Sequence, residues 1–219
     1  MFGKNKPLTM VQTYDHNLDI VNIFSTIQGE GPYAGVPAIF IRLGGCNLKC
    51  NFCDTEFDNF TKTKIDDILK EVSLLAGNIT KLIIITGGEP LRQDITELCE
   101  LLITQKFDVQ IETNGTIYRN LNKAVTIITS PKNHNGNGYN HINNSIKQRT
   151  DYFKFIISEN NKDYNFIPSE FLSYKNIYVQ PMDEYDDTKN IANQKLCTKL
   201  ALKYNFKISI QLHKILNIA

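Results

Sequence analysis

Three observations predict an α/β fold built on a mostly parallel sheet. Strand-like and helix-like segments alternate along most of the 219 residues, the pattern of repeated βα units. The run Lys81-Leu82-Ile83-Ile84-Ile85-Thr86 is nearly all apolar, as a strand buried on both faces of a parallel sheet requires. Polar residues of unusual type fall where strands end, and ligands of parallel sheets gather at the C-terminal strand ends.

Taken in order, Val21–Ile27 and Ala38–Leu43 read as strands. Lys64–Ala76 carries Ile65, Ile68, Leu69, Val72 and Leu75 at helical spacing, with Thr63 as its N-cap. The apolar strand at 81–86 leads to a helix from Asp94 to Gln105, where Asp94 and Glu97 make a capping-box-like start. Strands follow at Asp108–Ile111, Val125–Thr129, Tyr152–Ile157, Asn176–Val179 and Lys207–Gln211, the last after a helix from about Lys189 to Tyr204. The Asn- and Gly-rich stretch from Asn133 to Asn144 lacks any period, so 133–148 is expected to be an exposed loop. No repeat or linker divides the chain, so 1–219 is expected to be a single domain with an N-terminal tail over 1–19.

Composition narrows the function classes. Lys+Arg 24 against Asp+Glu 23 gives a formal charge of +1, so no global field favours nucleic acid or an anionic membrane, and a small-molecule substrate is expected. Met1–Tyr14 lacks the apolar core of a signal peptide, and no apolar run is long enough to cross a bilayer. A cytoplasmic location is expected, where thiols stay reduced.

The chemistry is concentrated in Gly44-Gly45-Cys46-Asn47-Leu48-Lys49-Cys50-Asn51-Phe52-Cys53-Asp54-Thr55. Its C-x3-C-x2-C spacing offers thiolates for three irons of a 4Fe-4S cluster and leaves the fourth iron open to a ligand. A structural zinc site wants four ligands, which Cys99 or Cys197 could complete. Both cysteines instead fall on apolar stripes of expected helices, with Leu98 and Leu102 and with Leu196 and Leu200.

Other polar groups end strands: Gln28-Gly29-Glu30-Gly31, Thr86-Gly87-Gly88-Glu89-Pro90, Glu112-Thr113-Asn114-Gly115, Ser130-Pro131-Lys132, Gln180-Pro181-Met182-Asp183 and Gln211-Leu212-His213-Lys214. Glycines in the second would let a backbone edge approach a ligand. Arg42 lies within Ala38-Ile39-Phe40-Ile41-Arg42-Leu43, where a buried guanidinium needs a partner. A salt bridge or a substrate carboxylate would each serve.

The cysteine loop is similar to that of radical S-adenosylmethionine (SAM) enzymes. Together with Gln28-Gly29-Glu30-Gly31, Ala34-Gly35, Pro37-Ala38, Arg42, Asp54-Thr55 and the strand-end motifs above, it resembles the 7-carboxy-7-deazaguanine synthase family from about residue 20 to the end. The resemblance implies an incomplete (β/α) barrel of the radical SAM type, with the cluster loop at the strand C-terminal ends, usually in a homodimer. It implies ring contraction of 6-carboxy-5,6,7,8-tetrahydropterin to 7-carboxy-7-deazaguanine with loss of ammonia, on the route to queuosine, using a 4Fe-4S cluster, SAM and Mg2+. SAM is regenerated in each cycle, and an electron donor such as flavodoxin is implied.

Residue by residue, the family pattern puts Ile27, Gln28, Gly29, Arg42 and Thr86 at the pterin, with the main-chain carboxylate of Ala219. It puts Phe52, Cys53, Asp54, Gly88, Ser130, Pro131, Lys132, Gln180, Pro181, Met182 and Asp183 at SAM, Cys46, Cys50 and Cys53 at the cluster, and Thr55 at Mg2+. His213 is expected on the substrate side. Two rivals share part of this pattern: an activase that installs a glycyl radical on another protein, and a non-catalytic iron-sulfur or zinc module. The activase has no use for Gln28-Gly29-Glu30.

Overall fold

Side-chain alternation along parallel strands decides where the core and the cavity lie. In the computed structural model, which describes residues 5–11, 15–133 and 138–218, the elements follow as β1 (Asn17–Ile27), β2 (Pro37–Leu43), β3 (Thr61–Lys64), α1 (Ile65–Ala76), β4 (Leu82–Gly87) and α2 (Thr96–Thr104). Then come β5 (Asp108–Thr113), β6 (Thr126–Thr129), α3 (Asn144–Arg149), β7 (Tyr152–Ile157), β8 (Ile177–Pro181), α4 (Asp187–Tyr204), β9 (Lys207–Ile208) and α5 (Leu212–Leu216). The strands form one sheet in the order β3-β1-β2-β4-β5-β6-β7-β8-β9. Neighbours from β2 to β9 are parallel, whereas β1 runs antiparallel to both β2 and β3. The sheet is open, as an incomplete barrel is.

Successive residues of a strand face opposite sides. One side holds the main core: Ile39, Ile41 and Leu43 of β2, Ile83 and Ile85 of β4, Val109 and Ile111 of β5, Phe153, Phe155 and Ile157 of β7, and Ile177 and Val179 of β8. Helices cover it, α1 burying Ile65, Ile68, Leu69 and Val72, α2 burying Leu98, Cys99 and Leu102, and α4 burying Cys197 and Ala201. Each fully buried Ile or Leu contributes about 1.5–3 kcal/mol, so the apolar stripes, more than capping, hold these helices down. The intervening residues Phe40, Arg42, Thr86, Glu112, Lys154 and Gln180 line a cavity on the other side, with Arg42 in register with Thr86, and Gln180 with Ile156 beside Lys154.

Several elements differ from expectation for identifiable reasons. Thr61-Lys62-Thr63-Lys64 has no apolar pattern, yet it forms edge strand β3 because β1 supplies a ladder. Thr63 is thus a strand residue, and α1 starts after Lys64 without a side-chain cap. At α2, Asp94 Oδ1 accepts from Thr96 N at 3.1 Å, while Glu97 reaches His16 Nδ1 at 3.1 Å instead of closing a capping box. The tail is shorter than 1–19: β1 starts at Asn17, and Leu18 and Asp19 are buried. Residues 133–148 are no exposed loop throughout, since Asn133, Ile142 and Ile146 are buried and α3 begins at Asn144, capped by Asn143 Oδ1 on Ser145 N at 2.9 Å. Two isoleucines four apart suffice to dock one short helix. The final strand stops at Ile208, and Leu212–Leu216 becomes α5.

Candidate active site

The cavity, about 510 Å³, opens where the parallel strands end. Ile27, Gln28, Gly29, Arg42, Thr86, Phe52, Cys53, Asp54, Gly88, Ser130, Lys132, Gln180, Pro181, Met182, Asp183, Cys46, Cys50 and Thr55 all line it, and so does His213. Pro131 does not; it is buried, joining two residues that do. Ala219 lies outside the described residues. The approach of Gln28–Gly31 is the unexpected part. Because β1 is antiparallel, Ile27 stands opposite Pro37 at the start of β2, and the chain then crosses to the far edge of the sheet. There Gly29 O accepts from Leu212 N at 3.0 Å and Gly31 N donates to Ser209 Oγ at 3.0 Å. A Cβ on Gly29 would lie 2.3 Å from His213 Nδ1 and 3.0 Å from His213 N, so a larger residue at this crossing must displace the His213 ring.

The cysteine loop rests on a buried brace. Arg92 Nη2 donates to Asp19 Oδ2 at 2.8 Å and to Gly44 O at 3.1 Å, and Gln93 Nε2 reaches Asp19 O and Gly44 O at 3.1 and 3.3 Å. Gly45 takes φ +75° directly above the Arg92 guanidinium, a conformation open to glycine. The turn after β4 lies against the same loop: Gly88 N donates to Leu43 O at 3.1 Å and Glu89 N to Gly45 O at 2.9 Å. The Gly87-Gly88 pair thus serves a backbone-to-backbone approach as well as cavity access. Glu89, fully buried, accepts from Leu91 N, Thr113 Oγ1 and Asn114 N at 3.0, 2.7 and 2.7 Å. Burial still pushes its carboxyl up against those bonds. Asn114 Nδ2 in turn donates to Asn47 Oδ1 at 3.0 Å, tying the β5 end to the cysteine loop.

The thiols suit an iron-sulfur cluster. Burial pushes Cys46 up to about 12, with the neighbouring Glu89, Cys50 and Cys53 adding to it, and burial also raises Cys50 and Cys53. Such thiols need a cation to draw off their protons, and a donor set of soft sulfur matches iron-sulfur chemistry. Lys132 stands beside them, its ammonium anchored on Ser130 O and Ser130 Oγ at 2.8 and 2.5 Å. Burial draws the Lys132 pKa down while Cys50 and Cys53 pull it up. Phe52 packs edge-on to Tyr164, ring centroids 5.2 Å apart.

Arg42 answers the question its strand posed. Among the described residues it makes no ion pair, and its buried Nε has no hydrogen-bond partner. Burial lowers its pKa while Asp54 opposes, and its guanidinium sits 5.3 Å from the Phe24 ring centroid. A planar cation with no ion pair among the described residues thus stands on the cavity wall.

Lys154, which no sequence motif contains, completes the wall together with residues of the strand-end motifs. Lys154 pairs with Glu30 and, at 3.0 Å, with Glu112 Oε2. Burial works to raise the Glu30 carboxyl, but Lys154 and a hydrogen bond from Gln211 outweigh it and hold it down to about 2. Lys214 bonds Asp183 Oδ2 at 2.6 Å and stands 3.8 Å from Asp54 Oδ2. Burial raises and that bond, with those from Tyr185 N and Asn190, lowers the Asp183 pKa, for a net fall.

The fold and its three-thiol loop define a class. The family model described as Radical SAM superfamily matches residues 40–165. A 7-carboxy-7-deazaguanine synthase of Rickettsia prowazekii is 47% identical over 225 residues, spanning 100% of this chain and 96% of that protein. The same-named protein of Escherichia coli K12 is 32% identical over 226 residues, spanning 91% and 98%. The crystal structure of QueE from Escherichia coli superposes with a TM-score of 0.78 at 27% identity, covering 91% of this chain and 96% of that one. The chain belongs to the 7-carboxy-7-deazaguanine synthase family of the radical SAM superfamily.

Proposed function

We propose that this chain contracts the ring of 6-carboxy-5,6,7,8-tetrahydropterin to 7-carboxy-7-deazaguanine with loss of ammonia, a step toward queuosine and related 7-deazapurines. The observation that carries this reading is Arg42, half-buried, without an ion pair among the described residues and with its buried Nε unbonded, on the wall of the cavity that also holds Cys46, Cys50 and Cys53. Cys46, Cys50 and Cys53 would hold a 4Fe-4S cluster, which with SAM would supply radical chemistry directed at C6 of the pterin.

The chain's own residues bind, orient and exclude water. Arg42 takes the substrate carboxylate through a planar fork, the geometry an ammonium lacks. Thr86, its partner in register, and the Ile27–Gly29 backbone border the same ligand. Gln28 is fixed from both ends, donating to Glu112 Oε1 at 3.0 Å and accepting from Glu30 N at 3.0 Å. Phe24 and Phe40, stacked with centroids 5.4 Å apart, keep water from the Arg42 side. Phe52, Cys53, Asp54, Gly88, Ser130, Lys132 and Gln180–Asp183 bound the SAM side, with Pro131 fixing the backbone between two of them. Thr55 Oγ1, 3.3 Å from Asp54 Oδ1, offers hard oxygen to Mg2+.

The chain is further proposed to work as a homodimer in the cytoplasm with flavodoxin as electron donor. All five cysteines are free thiols, as a reducing compartment leaves them. The test is an anaerobic assay of reconstituted protein with the carboxy-tetrahydropterin, SAM, Mg2+ and dithionite. Appearance of the deazaguanine chromophore is expected; a loaded enzyme that leaves the pterin unchanged overturns the proposal.

A further inference from the structure

Lys154 has no part in the roles above, yet it is the centre of the most buried charge cluster in the cavity. It lies within β7, 4% exposed, between Phe153 and Phe155, which face the opposite side. Its ammonium bonds Glu30 from the crossing after β1 and Glu112 Oε2 from β5 at 3.0 Å. Amides hold the same carboxylates: Gln211 Nε2 on Glu30 Oε1 at 3.0 Å, and Gln28 and Gln110 Nε2 on Glu112 Oε1 at 3.0 and 3.2 Å. Lys132, whose ammonium lies in the same cavity within electrostatic reach of Glu112 and Lys154, offsets the second carboxylate. Arg42 stands on β2, separated from β7 by β4, β5 and β6. The cavity thus carries a guanidinium without an ion pair at β2 and, on its far side, two carboxylates held by Lys154.

A buried ion cluster gives little stability that apolar residues of the same volume would not give, so stability alone does not account for it. Ionised carboxylates are acceptors only, whereas two carboxylates left without a cation share a proton and one becomes a donor. We infer that Lys154 is a positioning residue that fixes Glu30 and Glu112 as paired acceptors, selecting the N–H-rich edge of the pterin while Arg42 holds its carboxylate at the other end. The inference rests on the functional reading above and goes on to name the part of the substrate that this wall selects.

The test compares equilibrium binding of 6-carboxy-5,6,7,8-tetrahydropterin and its 2-desamino analogue to reconstituted, SAM-loaded enzyme without reductant. Wild type is expected to prefer the amino compound at least tenfold. In Lys154→Met the preference should fall to about threefold or less, with iron per chain and SAM affinity unchanged. If Lys154→Met does not fold, Glu30→Gln, which leaves Lys154 paired with Glu112, should show the same loss of preference. A variant that binds both pterins more weakly in an unchanged ratio, as a merely structural role predicts, overturns the inference, as does a wild type without preference. Wild type that binds neither pterin overturns the functional reading, and the inference with it.

Discussion

Replacing Gly88 by alanine tests the contact between the β4 turn and the cysteine loop. The added Cβ would lie 2.0 Å from Gly45 O, 2.4 Å from Gly45 C and 2.9 Å from Cys46 N. All three are backbone atoms, so no side chain can swing away, and relief requires the loop to retreat by roughly 1 Å. That retreat is resisted, because Gly45 O is held by Glu89 N and Gly45 N by Phe57 O, each at 2.9 Å. Overpacking of this kind costs about 1–3 kcal/mol, which for a chain of this size lowers Tm by about 2–12 °C. Because Cys46, a proposed cluster ligand, is the next residue, the same retreat should misplace it, and a displacement of ~1 Å costs turnover on the order of 100-fold. The assay is thermal unfolding together with iron per chain and turnover after anaerobic reconstitution. Gly77→Ala is the comparison: φ there is +51° with nothing within 4 Å, so it should lose about 1–3 kcal/mol to backbone strain with iron and turnover intact. Wild-type iron, turnover and Tm in Gly88→Ala would refute the argument from backbone approach.

Cys46→Ser, Cys50→Ser and Cys53→Ser should each lose cluster iron. Cys99→Ala and Cys197→Ala, both buried among helix residues, should keep it and lose about 1 kcal/mol of stability in denaturant melts. Arg42→Lys should weaken pterin binding by about 10–100-fold through loss of a charged, bidentate contact while SAM titrations stay unchanged; equal damage to both would place Arg42 elsewhere. Glu30 is held from 4.5 down to about 2, so it contributes stability above its unfolded pKa that is lost as pH falls from 4.5 toward 2. Tm measured across that window should fall less steeply in Glu30→Gln than in wild type.

Arg42 and Lys154 show what the sequence made legible and what was passed over. Arg42 was singled out because a guanidinium interrupts an apolar strand. Lys154 interrupts Tyr152-Phe153-Lys154-Phe155-Ile156-Ile157 in the same way, so the same signal marks it in the sequence. The cysteine loop, the glycine pair and most strands were readable because short-range spacing encodes them. The antiparallel direction of β1 is encoded only indirectly, in a connection over residues 28–36 too short for a parallel crossover, which takes a dozen or more residues. Edge strand β3 and helix α5 carry little period of their own; contact with β1 and with the Gln28–Gly31 crossing orders them. Asn133–Asn144 misled because polar composition hid Ile142, whose burial continues at Ile146 in α3.

The crossing after β1 is stitched to residues synthesised long after it. Gly31 meets Ser209 across a separation of 178 residues, and Glu30 meets Gln211 across 181. Contacts of that span are the last to repay their loop-closure entropy, so a nascent chain can lay down β2 to β8 while the cavity still gapes on one flank. Fraying of the stitch in the folded protein would unroof the Gln28–Gly29 flank of the cavity and leave the Arg92–Asp19 brace beneath the cysteines in place. Protection of amide hydrogens should accordingly divide at this line, with Gly31 and Leu212 exchanging sooner than Ile41 or Ile85.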